Sequence, residues 1–351
     1  MLSVSPVWQG AGGLTRSADK ARGPALFTVP AVSATRQGPQ CRGVESRVSV
    51  GLVASAVLLR GRKHRLGRTA RTASAGSLFL LPDGRDIRVL TNEGEVKTAV
   101  AAEVASCSSA AIAEKGAFSI CVPGSFGPAD GQELAGAQLI GESLATLSGQ
   151  GMGFQRRSES RPKKSVQLTA DFDKWHVFFA GERLDGQESF LLAKKLWIDS
   201  CGIPEAQVHP VPQGMPAEGA AAQYTAEICM QDESILVDSD QGLPALDLLL
   251  LDMAKDGTIG RLKPDSPEVE EAGSGKVILP VEDDDAEAAI AAPDFMNAAR
   301  TAVIVATGAA AAASVNKALG SASSACPASL IRTGKTIWLL DAGSAQDVSE
   351  P

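Results

Sequence analysis

Aromatic residues make up only 4% of this 351-residue chain, with one Tyr, four Trp and ten Phe. A core of ordinary size must therefore rest on Ala, Val, Leu and Ile, which with the other hydrophobic residues reach 44%. Small-residue packing of this kind suits layered α/β architecture better than a β-sandwich. Histidine is scarce, with three in the chain. The six cysteines (Cys41, Cys107, Cys121, Cys201, Cys229, Cys326) form no CxxC pair. That spacing gives no support to zinc ligation, argues against a disulfide framework and fits small buried thiols in a reducing compartment. The apolar run at 48–59 is short. Its twelve residues would span about 18 Å as a helix, against roughly 30 Å of bilayer hydrocarbon, so no membrane span is expected.

Acidic residues are missing from the start of the chain. Residues 1–75 hold twelve Lys/Arg against two Asp/Glu, a net of +10, and are rich in Ser, Ala and Gly. This is the composition of an organellar leader, disordered, directed to a plastid stroma or alternatively a mitochondrion. No apolar run follows Met1, which is unlike a secretory signal. The Phe in PALFTVPA (24–31) resembles the Phe-containing leaders of plastid proteins. The rest of the chain holds 21 basic and 39 acidic residues, a net of −18. A body so acidic is not expected to bind nucleic acid, which requires clustered cations.

From residue 85 the chain alternates short apolar runs with helical periodicity. Strands are expected at 86–92, 117–122, 175–180, 246–253, 301–308 and 336–343. Helices are expected at 93–115, 131–147, 189–202, 220–231 and through the Ala-rich run after Gly308. A polar, basic interruption at 150–167 reads as a surface loop. Alternation of this kind predicts an α/β fold, a three-layer α/β/α sandwich with a mostly parallel open sheet, over 85–345. Four loops follow strands, at 122–127, 180–186, 252–258 and 306–310. In a parallel sheet they share the carboxyl edge, where ligands bind.

The residues at those loops resemble the 6-phosphogluconolactonases, relatives of the glucosamine-6-phosphate isomerases. The stretch DKWHVFFAGERLDGQESFLLAKKLW is similar to that family's strand, D-E-R loop and helix start. IPEAQVHPV resembles its I-P-E-x-x-V-H segment. LPALDLLLLDMAKDGTIGRLKP resembles F-D-L-x-L-L-G-M-G-x-D-G-H-T-A-S-L-F-P, and MNAARTAVIVATG, CPASLIR and TIWLLDAG resemble its closing segments. The resemblance implies hydrolysis of 6-phosphoglucono-lactone to 6-phosphogluconate in the pentose phosphate pathway. It implies a small-molecule sugar phosphate as substrate, and neither metal nor organic cofactor. An amino-sugar phosphate isomerase is the weaker match, because the C-terminal segments follow the lactonase branch.

Where the family has the histidine of D-G-H, this chain has Thr258 after Asp256-Gly257. Gly181 takes the place of the acidic residue of D-E-R, leaving Glu182 and Arg183. Pro123-Gly124-Ser125-Phe126 replaces most of a Gly/Ser loop, with Pro123 lacking an N–H and Phe126 adding bulk. The R-I-T arginine has no counterpart before Asn297, where the chain reads EDDDAEAAIAAPDF. The lysine after V-T-G falls within the Ala run. The candidate catalytic residues are Glu182, Asp256 and Thr258. Gly124, Ser125, Arg183 and Gly257 are the candidate substrate-binding residues, and no metal ligands are expected. Asp252 and Lys263 flank the same turn, while His176 and His209 read as packing residues. Two readings stay open: a working hydrolase with Glu182 or Asp256 as the base, or a catalytically inactive relative that binds a sugar phosphate or an unknown protein partner.

Overall fold

The computed structural model describes residues 72–124, 134–148, 170–282 and 287–350. Residues 1–71 of the expected leader (1–75) and the basic loop at 150–167 lie outside the described residues; the last residues of that expected disordered segment are instead packed, Ala73 being buried with its N–H bonded to Val348 O at 2.7 Å. The described strands are β1 (Leu78–Leu80), β2 (Asp86–Leu90), β3 (Phe118–Val122), β4 (Trp175–Phe179), β5 (Gly181–Arg183), β6 (Val208–His209) and β7 (Val237–Asp238). They continue with β8 (Pro244–Ala245), β9 (Leu248–Asp252), β10 (Ile278–Glu282), β11 (Glu287–Ala291), β12 (Thr301–Ala306) and β13 (Lys335–Asp341).

Eight of them form one sheet in the order β1-β2-β13-β12-β9-β3-β4-β6, and β10-β11-β5 form a small second sheet. Every pair in the large sheet is parallel except β1–β2. The chain enters at β2, crosses to β3 and steps outward to β4 and β6. It then returns to the other side of β3 and fills in β9, β12 and β13. Right-handed crossovers place the helices of the outward path on one face and those of the return path on the other. The result is an α/β/α arrangement whose topological switch point lies between β3 and β9.

Five helices matter below: α1 (Glu93–Lys115), α2 (Leu134–Ala145), α3 (Glu188–Ala193), α4 (Asp199–Cys201) and α5 (Ala217–Cys229). A π-helical stretch, Lys194–Ile198, joins α3 to α4. The first helix shows how local sequence sets its bounds. Asn92 accepts a hydrogen bond from the Glu95 N–H, the Glu95 carboxylate accepts one from the Thr91 N–H, and Gly116 closes the helix at φ 85°. This is a reciprocal cap at one end and a left-handed glycine at the other. Among the described residues, α1 alone is long and apolar enough to cross a membrane by length and composition. Here its buried face, Val96, Val100, Val104 and Ala111, packs over the sheet and α2.

The core follows from composition. Leu248–Leu251, Ala302–Ala306 and Ile337–Leu340 are buried on both faces, as central parallel strands require. The few large rings concentrate under α3 and the π stretch: Trp175 meets Phe118 edge-on at 4.9 Å and Trp197 at 6.4 Å. The expected strands and helices are present with shifted bounds: most are shorter, α1 matches its expected range, α5 begins earlier at Ala217 and β13 at Lys335. No element was expected over the pair β10–β11, and β5 falls in the loop expected at 180–186. Their residues alternate little (Ala288–Ala292 are all buried), so no two-residue periodicity announced them.

Candidate active site

β3, β4, β9 and β12 run parallel, so the residues that follow them lie along one carboxyl edge of the sheet. The Ala180 N–H bonds to Val122 O at 2.9 Å, and Ala291 N–H to Ala180 O at 2.7 Å. These bonds tie β3, the end of β4 and the small sheet together. β5 pairs with β11 through Gly181–Ile290, Glu182–Ala289 and Arg183–Ala288. The segment after β9 folds back over this point. A Cβ on Gly260 would lie 3.8 Å from Ala180 Cβ, and one on Gly181 would lie 3.4 Å from Arg261 Cδ. The structure thus brings the start of the G-E-R segment against Gly260 and Arg261, which follow the D-G-T segment, across some 80 residues of chain.

Glu182 is fully buried. Its Oε1 accepts hydrogen bonds from the N–H of Arg183, the N–H of Ser189 and the Ser189 hydroxyl, each at 3.1 Å, and Oε2 accepts one from the Phe190 N–H at 2.9 Å. Burial pushes its carboxyl above the ordinary range while these donors pull it back. The carboxylate closes the first turn of α3 from outside the helix, where residue 187 supplies no side-chain cap. Arg183 turns the other way. Its Nε and Nη2 clasp Asp185 at 2.9 and 2.5 Å, and this bidentate pair holds Asp185 below the usual carboxylate range.

Asp256 is exposed and bonds within its own turn. Its Oδ1 accepts the Thr258 N–H at 2.9 Å and its Oδ2 the Thr258 hydroxyl at 3.0 Å, an Asx-type turn. Gly257 sits at φ 96°, and a Cβ there would stand 2.9 Å from Cys326 Sγ. Only glycine fits both demands. Asp252, at the end of β9, lies against α2, where a Cβ on Gly136 would meet Oδ2 at 2.3 Å. Pro123 is buried and Gly124 half-buried. Ser125 and Phe126 lie outside the described residues. Lys263 is exposed. Asn297 is occupied structurally, bonding Leu330 O and the Arg332 N–H.

The two histidines of the body stand apart from these loops, on β4 and β6. His176 Nδ1 and His209 Nε2 are 3.3 Å apart, and His209 Nδ1 is 3.0 Å from Glu227 Oε1. Burial lowers His176 to about 4. Among the described residues no group of three or more His, Cys, Asp or Glu is placed to hold a metal. Sequence reasoning overlooked Arg261 and Asp185. Nothing in the local sequence signals that Arg261 would adopt φ 66°, a conformation normally given to Gly or Asn.

An open parallel sheet with a loop-built crevice at its switch point defines an α/β ligand-binding class. Residues 147–338 match the family described as glucosamine-6-phosphate isomerases/6-phosphogluconolactonase, and the chain belongs to that family. It is 30% identical to a human 6-phosphogluconolactonase over 195 residues, 52% of this chain and 71% of the human protein. A rice protein called probable 6-phosphogluconolactonase 3, chloroplastic, is 29% identical over 175 residues, 48% of this chain and 45% of that one. The solved 6-phosphogluconolactonase of Trypanosoma brucei shares the fold with a TM-score of 0.57 at 17% identity, over 75% of this chain and 98% of its own.

Proposed function

We propose that the protein hydrolyses 6-phospho-D-glucono-1,5-lactone to 6-phosphogluconate in a plastid, with Asp256 as the base. The observation that carries this reading is the pairing of family membership with an exposed carboxylate, Asp256, in the turn that follows β9. Glu182 is unsuited to the base's task, since all its donors are already in place and it has no face toward water. Asp256 would take a proton from water as the water oxygen attacks the lactone carbonyl. The tetrahedral intermediate collapses by breaking the ring C–O bond, and the departing oxygen takes that proton to become a hydroxyl. The new carboxylic acid then ionises. Thr258 would hold Asp256 in one orientation through its two bonds, a positioning role rather than acid–base work, for which a hydroxyl is unsuited near neutral pH. The reading calls for no metal or organic cofactor.

The test is turnover of freshly generated lactone by the full chain, measured against spontaneous hydrolysis. Wild type should exceed the background, and Asp256→Asn should lower kcat/KM by about 100-fold or more, the scale of a lost general base. A wild-type rate equal to the background overturns the reading. It would favour binding without turnover, a reading that the commitment of the Thr258 hydroxyl to Asp256 supports.

The plastid assignment draws on the acid-poor, basic N-terminal 75 residues and on the rice relatives called chloroplastic. Residues 1–75 fused to a fluorescent protein should accumulate in plastids. Accumulation in mitochondria or cytosol would refute it.

A further inference from the structure

Asp256 stands in a turn that its own backbone closes. The Gly257 N–H bonds Ala254 O and the Ala254 N–H bonds Thr258 O, both at 3.0 Å. The two bonds from Thr258 to the Asp256 carboxylate also stay within the turn. The place of that carboxylate relative to the sheet is therefore inherited from the residues on either side of it. Lys255 and Gly257 are both held from outside. Lys255 O accepts the Ser314 hydroxyl at 2.6 Å, and Gly257 O accepts the Ala328 N–H at 3.3 Å. Against Gly257 lies Cys326, whose Sγ donates to Ser314 O at 3.7 Å.

Ser314 is common to both holds. It is 6% exposed and belongs to the helix Ala312–Ala318 that follows β12. It is the first polar side chain after the alanines at 309–313. Serine is a poorer helix former than alanine, and inside a helix its hydroxyl ordinarily turns to water or to a carbonyl one turn back. This hydroxyl leaves its helix for a carbonyl 59 residues away in the chain. The backbone oxygen of the same residue takes the Cys326 thiol, and that sulfur fills the space a side chain at 257 would need. Ser314 thus reaches one side of Asp256 directly and the other through Cys326. A shift at Ser314 moves both ends of the short segment that carries the carboxylate.

We propose that Ser314 is the positioning residue of this site: its hydroxyl on Lys255 and its carbonyl on Cys326 set where the Asp256 carboxylate stands. The assignment rests on the reading of Asp256 as the base, and it falls on a residue outside every motif of the sequence. Ser314→Ala in the full chain should leave the melting temperature within about 3 °C, because the better helix former offsets part of the lost bond. Turnover of fresh lactone should fall about 10-fold to 100-fold in kcat with KM unchanged, the scale of a displaced catalytic group. Amide hydrogen exchange over 254–258 should quicken about 10-fold, with exchange over α1 unchanged. In an Asp256→Asn background the same substitution should cost less than about twofold, since a residue that acts through Asp256 then has nothing left to position.

An unchanged kcat in Ser314→Ala overturns the assignment, and so does an equal fold-loss in both backgrounds. A KM that rises while kcat holds overturns it as well. The hydrolase reading fails separately: a wild type no faster than spontaneous hydrolysis sinks that reading alone. Hydrogen exchange then decides on Ser314. A rise confined to 254–258 in Ser314→Ala upholds its grip on the turn, and unchanged exchange there ends it.

Discussion

Replacing Asp247 by alanine should cost about 3–5 kcal/mol of folding free energy, the range measured for breaking a buried ion pair from one side. Asp247 lies at the amino edge of the large sheet, just before β9, with its side chain 4% exposed. Its Oδ2 accepts the Ser119 N–H at 2.8 Å, the Ser119 hydroxyl at 3.0 Å and the Lys115 ammonium at 3.0 Å. Its Oδ1 is 3.5 Å from Arg300 Nη1. Lys115 is itself largely enclosed and, among the described residues, also donates to Ser234 O and Ile235 O. The carboxylate therefore joins the end of α1 to the start of β3, to β9 and to the entry of β12. Alanine leaves an enclosed ammonium without its counter-charge and a buried Ser119 N–H without an acceptor, each a costly state. Urea unfolding of the described domain is the measurement. Asp247→Asn keeps shape and one acceptor and should lose roughly half as much. A loss below about 1 kcal/mol in Asp247→Ala would show that neighbouring groups or water replace the carboxylate.

The second large effect concerns Glu182. Glu182→Gln should lower stability by about 1–3 kcal/mol, the penalty for leaving a buried donor unmet. The two oxygens receive four donors from Arg183, Ser189 and Phe190. A glutamine amide must turn its NH2 toward one of them. Burial raises the folded-state pKa of Glu182, so the sign of the pH effect is set. The folded state holds this proton more tightly than the unfolded chain. The group's favourable contribution is complete below the unfolded carboxyl range, and it is lost as pH rises through the raised value. Wild-type stability should thus decline slightly through that window, and Glu182→Gln should lack that part of the slope. Turnover separates a cap from a base. If Asp256 is the base, Glu182→Gln loses activity only as far as α3 and β5 loosen, while Asp256→Asn loses it outright. The reverse order would reassign the base to Glu182.

Much of the fold was legible because its determinants are local. LLLL at 248–251 and AVIVA at 302–306 are unbroken apolar runs of strand length, and Asn92 and Gly116 bracket a helix with the expected caps. The hairpin β10–β11 was not legible. Its strands are buried on both faces and made largely of Ala, so they carry no alternation, and the acidic residues between them suggested only a polar loop. That the residues after β3, β4, β9 and β12 share the carboxyl edge was legible too, because in a parallel sheet that edge follows from strand direction.

What the sequence by itself determined is the parallel α/β sheet and the family. Apolar runs, caps and motif spacing are properties of short stretches and survive without knowledge of contacts. Only the tertiary structure decided what the polar residues face. Glu182 turns to the N–H groups of α3 seven and eight residues on, Arg183 to Asp185, and Arg261 enters a left-handed turn over Gly181, some 80 residues away in the chain. A charged side chain takes the partner that best offsets its desolvation. That choice is made among groups brought together by folding, which no local pattern encodes.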